Sequence, residues 1–193
     1  MNAILRPVML FAVSLLVSVA AGQEEYMGLK TTSQAGAPLQ VAGAMFSDTA
    51  LTVLLVNVSG RAVEQVTMGV VLSDGASVVS SVTRTGIACR ATVPPDGFLV
   101  VKEANAGFDK AASYFREKAI TRKEAALGLT HVRFADGSEW AYALEANGHF
   151  GEEADQAIKD KVHALTQKQF PDKDMSWAFP GQGHEGKVST CRQ

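Results

Sequence analysis

Hydrophobic positions along this chain follow three rhythms, and each marks a different kind of segment. The first is an unbroken run. Val8 to Ala21 is apolar except for Ser14 and Ser18, and Arg6 is the only charge before it. At about 14 residues the run would rise about 21 Å as a helix, short of the roughly 30 Å hydrocarbon core of a bilayer. A positive start, an apolar stretch of this length and small residues at Ser18, Ala20, Ala21 and Gly22 together predict a signal peptide over residues 1–21. Cleavage is expected near 20–22. The alternative is an uncleaved N-terminal anchor. No Cys lies beside the cut, so a lipoprotein anchor is not expected.

The second rhythm has a period of two. Residues 22–37 are small and polar and read as a flexible leader. From Leu39 the pattern alternates through Val41, Gly43 and Met45, a strand. Ala50 to Val58 is β-branched and apolar between Asp48 and Ser59-Gly60, which predicts a central strand. Ala62 to Leu72 follows, with Val63, Val66, Met68, Val70 and Leu72 as its inward face. Ser77 to Ala88 is a weaker strand. Val93-Pro94-Pro95-Asp96-Gly97 reads as a turn, and Phe98 to Val101 restarts a strand. Leu127 to Phe134 and Glu139 to Leu144 flank Ala135-Asp136-Gly137-Ser138, a strong hairpin signal because Gly tolerates positive φ. Breaks at Gly, Asp or Pro about every ten residues are the rhythm of a sandwich or barrel.

The third rhythm is helical. Phe108, Ala111, Ala112, Phe115 and Ala119 share one face of a helix expected over 105–120. Ala154, Ile158, Val162 and Leu165 form the stripe of a second, expected over 152–169. There Glu152, Glu153 and Asp155 sit in the first turn, Lys168 in the last, and Pro171 closes the helix. Beyond Pro171 the chain is expected to be irregular. The organisation is thus a signal peptide (1–21), a leader (22–37), a β-sandwich domain (38–146) and a helix with an irregular tail (147–193).

Composition changes this picture in two ways. Hydrophobic residues make up 47% of the chain, so a core can form. The mean hydropathy of +0.06 overstates the exported part, because the signal segment is its most apolar stretch. The formal net charge of −2 gives no basic footprint, so nucleic acid is not an expected partner. The apolar runs after residue 22 are all too short to span a bilayer. Two cysteines, Cys89 and Cys191, stand in a chain read as exported. One reading is a disulfide that pins the tail to the domain; the other is one buried Cys and one free Cys. The first is favoured because a free exposed thiol is reactive outside the cell.

A strand ending in Asn57-Val58-Ser59-Gly60, a strand with Val66 and Val70, the Pro95-Asp96-Gly97 turn and Val132-Arg133-Phe134-Ala135-Asp136-Gly137-Ser138-Glu139-Trp140 follow in that order. Over roughly residues 38–146 this resembles small exported bacterial immunoglobulin-like domains, many of unknown function. The resemblance implies an antiparallel sandwich with one inserted helix and a C-terminal helix. It carries no active-site residue.

Candidate chemistry thins on inspection. Gly181-Gln182-Gly183-His184-Glu185-Gly186 fits a dinucleotide fingerprint, but Pro180 precedes it and seven residues follow, so no strand–helix unit can form around it. His131, His149, His163 and His184 share no ligand spacing. His149 with Glu152 and Glu153 reads as a helix start rather than a metal site, and Asp172, Asp174 and Glu185 lack a calcium-loop pattern. No G-x-S-x-G and no Cys–His pair occurs. Glu64, Glu103, Glu117, Glu139 and Glu145 are expected on the solvent face. Asn57-Val58-Ser59 is a formal glycosylation sequon at a strand end. No catalytic residue, cofactor or metal is expected.

Binding aromatics are the remaining candidates. Trp140 and Tyr142 lie two apart on a strand, with core packing the stronger role for Trp140. Trp177 and Phe179 lie in the tail and can dock it. The expected function is a non-enzymatic binding or structural module that engages a protein or envelope partner in a periplasm or outside the cell. The alternatives are a secreted hydrolase whose residues converge only in the fold, or a periplasmic chaperone or inhibitor acting by strand addition.

Overall fold

A computed structural model describes residues 28–31, 33–46, 50–73, 84–104, 113, 117, 124–142, 152–171 and 188–191. The strands are β1 (Gly28–Thr31), β2 (Leu39–Phe46), β3 (Ala50–Asn57), β4 (Val63–Ser73), β5 (Arg84–Val93), β6 (Phe98–Ala104), β7 (Glu124–Phe134), β8 (Glu139–Ala141) and β9 (Val188–Thr190); helix α1 is Gln156–Gln169. The protein is mainly β. One sheet has the order β1-β7-β4-β5, with β8 also on β7; the other runs β2-β3-β6-β9. Pairing is antiparallel except for β1 on β7 and β9 on β6.

The sheets bury their facing sides against each other. Val63, Val66, Met68 and Val70 of β4, with Leu127, Leu129 and Val132 of β7, meet Leu51, Val53 and Leu55 of β3 and Leu99 and Val101 of β6. The near-continuous apolar run of β3 has a second cause. Leu54 and Val56 point the other way and join Phe98, Val100 and Phe170 in a separate cluster, against which Val162 and Leu165 of α1 pack. β3 and β6 are therefore buried on both faces, which replaces alternation with a solid apolar run.

Several boundaries depart from the sequence reading. The helix starts at Gln156, not 152. Asp155 is its N-cap, accepting from the Ile158 N–H at 2.9 Å, and no acidic residue lies in its first turn. Glu152 and Glu153 precede it in an extended segment whose Ala154 N–H donates to Ser33. β8 ends at Ala141 rather than 144, and β5 runs to Val93, past the expected end at 88, while residues 77–83 of that expected strand lie outside the described residues. Of the helix expected over 105–120, only Ser113 and Glu117 are among the described residues, and both are helical. Residues 1–27 lie outside them. Within the segment expected as a leader, β1 joins the sheet and Gln34 and Ala37 are buried.

The tail is not wholly irregular either. β9 pairs with Phe98, Leu99 and Val100, and the Cys89–Cys191 disulfide forms beside it with Cα atoms 5.3 Å apart. The bridge joins β5 of one sheet to the residue after β9 of the other. It closes a separation of 102 residues, which contributes up to about 4–5 kcal/mol in the chain-entropy model. β9 is held besides by its ladder on β6, by Val188 against the outer apolar cluster and by Cys191 against the core.

Candidate interaction face

The two sheets differ in what covers their outer sides. The outer side of β2-β3-β6-β9 carries the apolar cluster under α1. On the five-stranded sheet, alternation turns polar side chains outward instead. Cross-strand register lines them up in two rows. Glu139, Arg133, Gln65 and Arg90 form one; Ala141, His131, Thr67 and Ala88 form the other. Polar groups approach one another across them: His131 Nε2 lies 3.3 Å from Glu139, and an Arg133 nitrogen 3.9 Å from Glu64. Side-chain exposure is 30% at His131, 40% at Arg133 and 58% at Glu139, so these groups remain within reach of a partner. The rows mix charges of both signs, Arg90 and Arg133 with Glu139.

The hairpin beside these rows is closed by several hydrogen bonds. Phe134 and Ser138 close a three-residue loop in which Gly137 takes φ +81 and its N–H donates to Phe134 O at 3.0 Å. Asp136 accepts from the Ser138 hydroxyl and backbone N–H, and Arg61 binds both of its oxygens at 2.8 and 2.9 Å. The Ser138 hydrogen bonds, then Arg61, hold the Asp136 carboxyl below its ordinary 3.8. The Arg61 guanidinium also lies 3.7 Å above the Phe134 ring.

Two buried amides settle the sheet's framework. Asn57 is fully buried at a turn crossing. Its Nδ2 donates to the carbonyls of Arg61, Val93 and Pro94, and its Oδ1 accepts from Ser59 N–H and Oγ. The sequon nitrogen is therefore enclosed. Gln34 fills the edge of β7 between β1 and β8. Its side chain donates to Leu129 O and accepts from Leu129 N–H, as a neighbouring strand's peptide would. Gln40 in turn binds both backbone groups of Gln34. The sequence reading missed both amides; the turn signal around Asn57 was visible, whereas nothing local marks Gln34, whose partner is 95 residues away.

The sequence candidates separate accordingly. Cys89 and Cys191 come together. Trp140 is half-buried against the main core, and Tyr142 lies one residue past β8 with its N–H donating to Thr130 O. Trp177 and Phe179 lie outside the described residues, as do His149, His184, Glu145, Asp172, Asp174 and the glycine motif at 181–186. His163 is exposed on α1. Glu64 and Glu139 are on the outer face, but Glu103 is buried at 5% exposure, a correction to its expected solvent position: its place opposite Leu51 on β6 turns it inward. Among the described residues, no three His, Cys, Asp or Glu side chains are grouped to hold a metal. No helix among them is long and apolar enough to cross a membrane. Comparison with family models, curated proteins and solved structures finds no match to the chain.

Proposed function

We propose that this chain is the precursor of an exported, non-enzymatic, immunoglobulin-like module that recognises a protein or envelope partner through the outer face of its five-stranded sheet. The strand order supports the topology. A hairpin-like pair β2-β3 is extended by β6, and β8-β7-β4-β5 forms the facing sheet, with the chain crossing between sheets at β3–β4, β5–β6 and β6–β7. This exchange between sheets supports an immunoglobulin-like Greek key, to which the parallel strands β1 and β9 are additions. The signal-like N-terminus and the disulfide support export.

The observation that carries the interaction reading is the contrast between outer faces. One is apolar and covered by α1; the other presents Arg90, His131, Arg133 and Glu139 in register on paired strands. The test is affinity capture from the native envelope with residues 22–193. The wild-type chain is compared with an Arg90→Glu/Arg133→Glu variant and with Lys168→Glu on the helix as a control. Capture should persist with Lys168→Glu and fail with the double variant. Equal capture by all three, or no capture by any, would refute the reading.

A further inference from the structure

β9 sits at a junction of the two sheets. It pairs with β6, the Ser189 hydroxyl donates to Thr92 O of β5 at 2.6 Å, and the Cys191 N–H donates to Val100 O at 3.1 Å. The ladders that carry the sandwich, β3 on β6 and β4 on β5 and β7, do not include it. Apart from the bridge, β9 is held by this three-residue ladder, these two hydrogen bonds and the partly buried Val188. The two sulfurs are also unequal: Cys89 is 1% exposed inside the core, and Cys191 is half-buried at its margin.

We propose that β9 is a redox-latched strap, which two-electron reduction of Cys89–Cys191 by an external dithiol releases from β6 while both sheets stay folded. This goes beyond recognition at the polar face. A thiolate of the dithiol attacks Cys191 Sγ. The protein S–S bond breaks, and Cys89 departs with the sulfur electron pair and takes up a proton. The second thiol of the reductant then attacks the mixed disulfide and expels Cys191, which is protonated in turn. The protein gains two thiols and the reductant becomes a disulfide. Burial makes Cys89 a poor leaving thiolate, so the latch resists stray monothiols and opens to a dithiol that completes the second step. Release uncovers the edge of Phe98 to Val100 on β6, a row of backbone groups that β9 otherwise occupies.

Hydrogen exchange on the bridged protein, with and without dithiothreitol, tests this. Reduction should speed exchange at least tenfold in peptides covering 188–191 and raise it in those covering 98–100, with β4 and β7 unchanged. A Cys191→Ser variant, which keeps Cys89 in its core position, should show the same pattern without reductant. Continued protection of 188–191 after reduction, or in the variant, overturns the proposal. So does equal loss of protection across β4 and β7, or failure of the variant to fold, since either makes the bridge a staple of the whole domain.

Discussion

Asn57 shows how much one side chain can hold together. Its amide serves three carbonyls and two groups of Ser59 from a fully buried position. Replacing it with Ala leaves several of these unpaired away from water, at about 1–3 kcal/mol for each group that water cannot reach. Asn57→Ala should therefore cost about 3 kcal/mol or more in urea unfolding. At the surface, Asp136 makes a smaller and opposite point. Its folded pKa lies below its unfolded value, so its contribution is present above about pH 4 and is lost as pH falls through the folded value. The stability advantage of wild type over Asp136→Asn should shrink toward acid pH in denaturation curves.

At the scale of elements, legibility followed periodicity. β2, β3, β4 and the Asp136-Gly137 hairpin were readable because one buried face imposes a period of two and because the turn residue has few substitutes. β3 carried a further signal: Leu54 and Val56 sit where polar residues belong on a half-exposed strand, and α1 is the reason. The start of α1 was misplaced because Glu152 and Glu153 look like a helical first turn, yet their backbone pairs with the segment around Gln34. Long-range pairings of this kind leave no local trace. The same holds for β1 and β9, whose short parallel ladders depend on partners far along the chain. Gln34→Leu should strip two hydrogen bonds from Leu129, cost about 2–4 kcal/mol, and speed exchange at the Leu129 amide. Asp155→Ala should cost about 1 kcal/mol through the lost cap, measured by thermal or urea unfolding.

For the molecule as a whole, the arrangement is asymmetric: a two-sheet core, a helix over one outer side, and polar rows on the other. Edges are filled by unlike devices, a Gln side chain beside β7 and a disulfide-held strand beside β6. The candidate interaction face was only half legible. Glu64 and Glu139 read as solvent-facing strand residues and His131 as an unassigned histidine, but Arg90 and Arg133 carried no reading, and the alignment of these residues depends on bulges in β4 and β7 that shift register. A one-residue slip would turn them inward. The most direct test of the account is a hydrogen-exchange or chemical-shift footprint of the captured partner on residues 22–193. Protection centred on β4, β7 and β8, at Thr67, His131, Arg133 and Glu139, is the predicted result. A footprint centred on α1, with those strands unchanged, would contradict it.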